Sequence, residues 1–302
     1  MNIRYLKHNE IDKIKWDHTI KNSFNHLPYA YSWYLDCVCP NWHALVTENY
    51  EFVFPITLRR KAGVKYLYQP YFTQQLGLFS VEEFSSSELK NFLRIAEAKF
   101  RFIEINLNAS CLFLEMRSET RITHHLELSI SYDNIFKSFN ENTRRNIRKA
   151  DKNNFTLIQN NDSNTLIKIF ASETGKKTNL KSKDYLLLEL LIHQAIKKRT
   201  GKIFHVINND GIPCAGMFLL DSKKIMINLF NCATTESKNL GAMYFLFNEL
   251  IKMHSNSDMI FDFEGSEIPE VARFYKGFGG AVVRYPYYRR NHLHWSLKWL
   301  KQ

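Results

Sequence analysis

The order of strand-like and helix-like segments occurs twice in this chain, and that order limits the available folds more than any single motif. In the first half, ALVTEN, EFVFPITLRR and VKYLYQPYF have the alternation and turn residues of strands; the helical segment SSSELKNFLRIAEAKF and the strand FIEINLN follow. In the second half, KIFHVIN, IPCAGMFLLD and IMINLFNCAT precede the helix GAMYFLFNELIKMHSN and the strand MIFDFEG, roughly 155–160 residues later. The repeat predicts two copies of one α/β unit.

The length of 302 residues suits two domains of about 150 residues each. We predict an N-terminal domain over residues 1–135 and a C-terminal domain over residues 136–302, the second opened by a basic linker helix at 136–152. The fold class is α/β (α+β), in which each domain has a mixed, largely antiparallel sheet flanked by helices. The first 45 residues are predicted to form helices and connections.

The stretch NENTRRNIRKADK, residues 140–152, is the most basic part of the chain, with five basic residues in the nine positions 144–152. Apolar and small residues recur three and four positions apart, so they share one helix face: Phe136, Phe139, Thr143, Ile147 and Ala150. One interpretation is a linker helix with one buried and one solvated side. The other is an anion site, because neighbouring arginines bind phosphate oxygens through two hydrogen bonds at a time.

Composition narrows the partners and the compartment. The net charge of +11 favours anionic partners such as nucleic acid, phosphorylated small molecules or an anionic membrane surface. The N-terminus has no secretory signal, no apolar run approaches the ~18 residues of a membrane span, and the five cysteines form no CxxC pair. We predict a cytoplasmic protein; the amphipathic C-terminal HLHWSLKWLKQ leaves peripheral contact with the inner membrane open, beside simple packing. The pairs His124–His125 and His292/His294 have no partner at ligand spacing, so no metal is expected.

The densest chemical signal is MIFDFEGSEIPEVARFYKGFGGAVVRY, residues 259–285. Strand alternation sends Asp262 and Glu264 to one face, where a carboxylate could take a proton from an attacking amine. A turn at Gly265 and a helix that accepts Pro269 in its first turn come next. In that helix Tyr275 could donate a proton to a leaving group. The alternatives are solvated carboxylates at a sheet edge and a tyrosine ring that only packs.

The segment ARFYKGFG resembles the late motif of the GNAT N-acyltransferase fold. Two such units, with NTRRNIRKA between them and DFEGS and FYKGFGG near the end, are similar to the FemAB/FemX-type tandem GNAT proteins. The best-known members of that family transfer aminoacyl groups from charged tRNA to a peptidoglycan precursor. The resemblance implies an N-acyltransferase with no metal and no tightly bound cofactor. Its donor would be acyl-CoA or aminoacyl-tRNA, and its acceptor an amine of an anionic, peptidoglycan-precursor-like molecule between the domains.

The same resemblance implies roles for individual residues. Tyr275 would be the general acid, Asp262 or Glu264 would orient or deprotonate the amine, and the oxyanion would meet backbone N–H groups near Asn231. The segment SKNLGAM occupies the place of the GNAT pyrophosphate loop, with one glycine and a lysine in place of the usual arginine or glutamine. Its donor-binding residues would be Lys238, Asn239, Gly241 and Ala242.

Further residues are predicted to bind substrate. They are Arg144, Arg145 and Arg148 of the basic stretch, Tyr71, Gln74 and Gln75 of the aromatic segment YLYQPYFTQQLG, and Asn231 and Lys276. The first copy would bind the acceptor or support the fold. Two alternatives stay open: a conventional acetyl-CoA-dependent N-acetyltransferase with a degenerate first domain, and a non-catalytic protein that binds RNA or a precursor. The sequence does not determine the oligomeric state.

Overall fold

A computed structural model describes residues 1–61, 63–113, 119–265 and 268–295, which form two compact units. The first unit comprises residues 1–121 together with the chain from Arg284 onward, and the second comprises residues 122–283. The predicted domains 1–135 and 136–302 are consecutive stretches of chain. The compact units are not, because the last strand returns to the first unit.

The first unit contains helices α1–α3 and strands β1–β7, and the chain leaves it within β8. Their bounds are β1 Ile3–Leu6, α1 Lys13–Asn22, α2 Ser32–Val38, β2 His43–Thr47, β3 Phe52–Ile56, β4 Leu58–Lys61, β5 Val64–Tyr68, β6 Phe79–Ser80, α3 Ser86–Lys99, β7 Phe102–Asn106 and β8 Glu119–Glu127. Short 3₁₀ helices lie at His8–Glu10, Pro28–Ala30 and Ala109–Cys111.

The second unit contains the remaining helices, and the chain leaves it within its last strand. The bounds are α4 Tyr132–Ser138, α5 Glu141–Ala150, β9 Thr156–Asn160, α6 Ser163–Ser172, α7 Ser182–Lys197, β10 Gly201–Ile207, β11 Pro213–Ser222, β12 Ile225–Ala233, α8 Thr235–Leu240, α9 Ala242–His254, β13 Ile260–Asp262, α10 Pro269–Gly277 and β14 Ala281–Asn291. Short 3₁₀ helices lie at Asp151–Asn153 and Gly175–Lys177.

Two groups of paired strands make up the first unit. The strands β1, β2, β3 and β6 pair antiparallel in that order. The strands β4, β5, β7 and β14 pair in that order, and within this group β5 and β7 are parallel, with Leu67 opposite Ile103. Helix α3 lies between those two parallel strands in the sequence, as a crossover requires.

The second unit also contains a parallel pair of strands joined by a helical crossover. Its strands pair in the order β8, β13, β12, β11, β10, β9, and β12 and β13 are parallel while the other pairs are antiparallel. Helices α8 and α9 make the crossover between the parallel strands. Each unit is therefore a mixed, largely antiparallel arrangement of strands flanked by helices, which confirms the predicted fold class.

Each unit buries its own apolar core. In the first unit, Leu89, Phe92 and Leu93 of α3 pack with residues of β2, β3, β5 and β7. In the second unit, Leu246, Phe247 and other residues of α9 pack with residues of β10–β13 and α10. The apolar face of each crossover helix therefore packs against the strands of its unit and holds the helix in place.

Local residue preferences explain three features of the backbone, of which the position of Pro269 was predicted. Ser85 caps α3, because its hydroxyl accepts from the Glu88 N–H while the Glu88 carboxylate accepts from the Ser85 N–H. Gly211 adopts a φ of +77° in the turn between β10 and β11. Pro269 is the first residue of α10, where its missing N–H costs nothing.

Two predictions about the backbone are wrong. The single helix predicted over residues 136–152 is two helices, α4 and α5. Phe139 is extended between them, and the Asn140 side chain caps α5 by accepting from the Thr143 N–H at 2.8 Å. The first 45 residues also include a strand, β1, in addition to helices.

The predicted buried face nevertheless survives the break between α4 and α5. Phe139, Thr143, Ile147 and Ala150 are buried, whereas Arg145 and Arg148 are exposed. Across the parts of the chain that the structure describes, no helix combines the length and the apolar character needed to cross a bilayer.

We expect Phe247→Ala to destabilise the second unit by about 3–5 kcal/mol, because it deletes a buried aromatic side chain and leaves a cavity. The Phe247 ring lies within 6.0 Å, centroid to centroid, of Phe261, Phe263, Phe274, Tyr275 and Phe278. Urea unfolding followed by circular dichroism measures the change. The control Leu186→Ala removes a side chain that is 67% exposed and should shift stability by no more than about 0.5 kcal/mol. Equal effects of the two variants would contradict this account of the core.

Candidate functional site

The second unit contains a cavity of about 270 Å³ between the start of α9 and the helix α10. It is lined by Asn231, Lys238, Met243, Tyr244, Glu270, Val271, Phe274 and Tyr275. Met243, Val271 and Phe274 make its wall apolar, while Lys238 and Glu270 bring opposite charges to it. A mostly apolar cavity with a few convergent polar groups is the usual form of a small-molecule site.

The cavity adjoins a gap between two strands. The parallel pairing of β12 and β13 ends at Ile227 opposite Asp262, while β12 continues to Ala233. The Asn228 amide donates to the Phe263 carbonyl at 3.1 Å, which bridges the start of the gap. Beyond it, Asn231 reaches the cavity. The early end of the ladder thus leaves the Asn231 side chain of β12 at the cavity.

Tyr275 lies at the inner end of the cavity. Its hydroxyl oxygen is 3.4 Å from the Asn231 amide nitrogen and 3.5 Å from that of Asn228, and both amides donate to it. Burial raises the pKa of Tyr275 to about 12, against the smaller opposing effect of the amide hydrogen bonds. The phenol is therefore protonated at neutral pH, which is the state a proton donor needs.

A neutral histidine accompanies this tyrosine. The His124 ring centroid is 6.2 Å from that of Tyr275, and the His124 side chain is buried. Burial lowers the pKa of His124, although the Asp262 carboxylate acts in the opposite direction. The tyrosine is therefore surrounded by amides and an uncharged ring on this side.

Strand β12 has an irregularity beside the cavity. Phe218 of β11 lies opposite Phe230, and Leu219 lies opposite Asn228. Leu229 is therefore an extra residue that pairs with no residue of β11. A β-bulge of this kind turns backbone groups away from the ladder. The bulge lies within the short segment 228–231. The family resemblance implies that backbone N–H groups near Asn231 bind the oxyanion.

Of the two predicted carboxylates, Asp262 is the last residue of β13 and lies on the other face of the sheet, whereas Glu264 lies beyond the end of the strand. Asp262 is 1% exposed, and its Oδ1 accepts from the Thr123 hydroxyl at 2.5 Å and from the Glu264 N–H at 2.9 Å. Its Oδ2 lies 3.4 Å from the His125 Nε2. Glu264 is partly buried and has a φ of +57°, which is rare for a residue with a side chain. Asp262 is thus enclosed by partners.

The predicted donor loop is ordered as a short helix and a cap. Lys238 and Asn239 belong to α8, Gly241 joins α8 to α9 with a φ of +91°, and Ala242 begins α9. The N–H groups of Lys238 and Gly241 donate to the carbonyls of Thr234 and Lys238. Much of this segment's donor capacity is thus used internally, but the first turn of α9 still lies at the cavity.

Helix α5 packs against this segment. The Lys149 ammonium donates to the Asn239 carbonyl at 2.8 Å, and the Asn153 amide donates to the Leu240 carbonyl at 3.0 Å. A methyl group added to Gly241 would lie 3.0 Å from the Ala150 Cβ, so the glycine permits the close approach.

Helix α5 also contacts a residue that lines the cavity. The Asn142 amide lies 3.5 Å from the hydroxyl of Tyr244, whose side chain lines the cavity. Arg145 and Arg148 on α5 are exposed, and Arg144 is partly exposed. The basic helix is therefore a neighbour of the cavity as well as a connection between elements.

The other predicted substrate residues are distributed differently. Lys276 is exposed in the last turn of α10. Tyr71, Gln74 and Gln75 belong to the first unit, where Tyr71 is 40% exposed. The Gln75 side chain is buried; it donates to the side-chain amide oxygen of Gln74 and accepts from the Ala109 N–H at 3.0 Å.

Sequence reasoning missed several residues of the site. Those that line the cavity are Met243, Tyr244, Glu270, Val271 and Phe274, and Asn228 and His125 lie beside the gap. In the sequence these residues show only helical spacing or strand alternation. A helix end that faces the core and one that lines a cavity have the same pattern of apolar residues, so the sequence does not distinguish them.

Comparison with known proteins supports the fold. No protein-family model and no curated protein sequence matches this chain. Among solved structures, FemX matches with a TM-score of 0.67 and 14% identity over 100% of both chains. The C-terminal domain (DUF2156) of a putative lysylphosphatidylglycerol synthetase from Agrobacterium fabrum matches with a TM-score of 0.53 and 11% identity over 86% of each chain. L-PGS from Bacillus licheniformis matches with a TM-score of 0.52 and 11% identity over 86% of this chain and 87% of that one.

These likenesses confirm the predicted resemblance at the level of the fold. The chain has a mixed α/β fold similar to that of FemX over its whole length. At identities this low the likeness concerns architecture, and the activity has to be argued from the site.

Titration of Tyr275 should make stability depend on pH in a specific range. Its pKa is about 12 in the folded protein against an ordinary value of 10.0, so the stabilising effect is complete below pH 10 and is lost as the pH rises towards 12. The difference in unfolding free energy between the wild type and Tyr275→Phe should therefore shrink by on the order of 2 kcal/mol across that range. Urea unfolding at several pH values measures it. With the exposed Tyr71→Phe as control, a constant Tyr275→Phe difference would contradict the buried, protonated phenol.

Proposed function

We propose that this chain is an acyltransferase of the FemX-like kind, which transfers an acyl or aminoacyl group to an amine of an anionic acceptor. The observation that carries the proposal is the position of Tyr275. Its hydroxyl is held by Asn228 and Asn231 at a gap between parallel strands and at the inner end of an apolar cavity. A buried phenol that stays protonated is suited to give its proton to a departing thiolate or alkoxide.

The donor's acyl group would occupy the cavity beside Met243, Val271 and Phe274. Its carbonyl oxygen would point to the bulge of β12 around Leu229, where backbone N–H groups would stabilise the oxyanion. The amine would attack the carbonyl carbon, the bond to sulfur or oxygen would break, and Tyr275 would protonate the leaving atom. These roles need no covalent enzyme intermediate.

The donor's anionic part would extend towards α5. Arg145 and Arg148 are exposed on the helix that contacts the cavity residue Tyr244 through Asn142. Such arginines suit the phosphates of an aminoacyl-tRNA end, because their flexible side chains can reach phosphates along an irregular nucleic-acid backbone. A compact phosphate-binding loop of the protein would not follow that backbone. The internal hydrogen bonding of α8 also favours recognition by side chains over recognition by a free loop.

One observation favours acyl-CoA as the alternative donor. The first turn of α9, with Ala242, Met243 and Tyr244, lies at the cavity, and a helix N-terminus attracts a pyrophosphate. The structural likeness to a lysylphosphatidylglycerol synthetase and to FemX supports an anionic acceptor. The identity of the acceptor and its predicted place between the domains are what the sequence resemblance to FemAB/FemX-type proteins implies.

The donor class can be decided by calorimetric titration with acetyl-CoA and with a mixture of aminoacyl-tRNAs, each at two salt concentrations. We expect salt-sensitive binding of the tRNA, with a salt slope lower by roughly 0.7 for each arginine contact removed in Arg145→Gln/Arg148→Gln. The matched control is Lys197→Gln/Lys198→Gln, which removes two exposed cations from the end of α7. Equal slopes for the two double variants would contradict a role for α5.

Turnover separates an enzyme from a binding protein. Tyr275→Phe should leave donor affinity within about twofold and lower the rate of donor consumption by about 10²–10⁴-fold, the usual effect of a general acid. Radiolabelled donor, with peptidoglycan precursors and small amines as acceptors, measures that rate. Tight donor binding with no turnover by the wild type would instead favour the non-catalytic alternative.

A further inference from the structure

A buried carboxylate and a histidine form a pair next to the gap in the second unit. The Asp262 Oδ2 lies 3.4 Å from the His125 Nε2, while Asp262 Oδ1 is held by the Thr123 hydroxyl and the Glu264 N–H. The Asp262 side chain is 1% exposed and the His125 side chain is 23% exposed. Of the two groups, therefore, the imidazole is the more accessible to a ligand, although its Nε2 is buried and makes no hydrogen bond to the described residues.

A carboxylate in this position is poorly suited to take a proton from substrate directly. Its Oδ1 accepts two hydrogen bonds, and a buried carboxylate without partners would be strongly destabilising. Those hydrogen bonds fix its orientation, so that Oδ2 faces the imidazole. A carboxylate fixed 3.4 Å from Nε2 would stabilise, through its charge, the imidazolium that forms when the histidine accepts a proton.

The pair is placed on the opposite side of the sheet from Tyr275. His125 lies opposite Asp262 in the ladder between β8 and β13, and Asp262 lies opposite Ile227, the last paired residue of β12. Neighbours in register share a face, and successive residues alternate. His124, next in the chain, therefore points to the face where its ring meets Tyr275, and His125 points to the other.

We propose that His125 is the general base of the transfer reaction and that Asp262 and Thr123 are positioning residues that hold it. This proposal rests on the proposed acyltransferase function. As the amine nitrogen bonds to the donor carbonyl carbon, its surplus proton passes to the imidazole. The bond from that carbon to sulfur or oxygen breaks, and the leaving atom takes the Tyr275 proton. Solvent then removes the proton from the imidazolium and returns one to the phenolate.

The base and the acid would thus reach the reacting atoms from the two faces of the sheet through the gap. An amine acceptor would approach from the His125 side and the donor from the cavity side. The competing base is Glu264, which follows Asp262 just beyond the end of β13. The test therefore includes both residues.

The test compares two nucleophiles that differ in their need for a base. An alkylamine such as ethylamine is protonated at neutral pH, whereas hydroxylamine is largely unprotonated there. Single-turnover decay of aminoacyl-tRNA or acetyl-CoA is measured with each nucleophile. For His125→Gln we expect a loss of about 10²–10⁴-fold with ethylamine and less than about tenfold with hydroxylamine. For His125→Ala, added imidazole should restore part of the ethylamine rate.

Further variants separate the roles. Asp262→Asn should lower the ethylamine rate with little change in donor affinity, and the exposed His193→Gln should keep both rates near those of the wild type. Glu264→Gln tests the competing base. Thermal unfolding checks that each variant is folded. If His125→Gln does not fold, imidazole rescue of His125→Ala and the Asp262→Asn rates decide the question.

Each contrary result has its own meaning. If the wild type accelerates donor decay neither with these nucleophiles nor with peptidoglycan precursors, the proposed function fails and the base assignment fails with it. If the wild type is active but His125→Gln matches it with both nucleophiles, or loses both rates equally without rescue, His125 is not the base. If Glu264→Gln shows the nucleophile-dependent loss instead, Glu264 is the base.

Discussion

The site of the second unit depends on a parallel ladder that stops early. β12 and β13 are paired only from Ile225 to Ile227, and their crossover through α8 and α9 holds them together while the pairing lasts. Beyond that point the strands separate, and Asn228 spans the start of the opening through its side chain. Full pairing would fill the gap with backbone hydrogen bonds and would leave no room for a ligand between the proposed acid on one face and the proposed base on the other.

A large aromatic cluster keeps that opening in shape. Phe247 of α9 contacts rings from β13 and α10, and Tyr275 belongs to the same cluster through Phe263 and Phe274. Rings have few rotamers, so their interdigitation fixes the angle of α10 and the direction of the Tyr275 hydroxyl. The packing that stabilises the core also raises the pKa of the phenol, because both effects follow from the exclusion of water.

Local features of this fold were predictable from local sequence, and long-range ones were not. The Ser85 cap, the turn at Gly211 and Pro269 at the start of α10 follow from the backbone preferences of those residues. The predicted role of Tyr275 depended on a resemblance. The structure adds a suitable environment for it, which the proposed experiments would test.

The misses have physical causes too. Helical spacing continues across Phe139, so nothing in the periodicity marked the break before Asn140. The bulge at Leu229 leaves no trace in alternation, because one extra residue only shifts the phase. His125 and Asp262 meet because β8 pairs with β13, and no spacing in the sequence could show that pairing. The sequence analysis therefore left the histidine without a carboxylate partner.

Occupation of the cavity by the donor is the central claim, and methionine methyl NMR tests it most directly. The chain has seven methionines, and of these Met243 lines the cavity while Met253 is 57% exposed on the same helix. With ¹³C-methyl methionine, assigned through Met243→Leu and Met253→Leu, a saturating donor should move the Met243 resonance and leave that of Met253 in place. Donor binding that leaves Met243 unmoved would place the donor elsewhere and contradict the account.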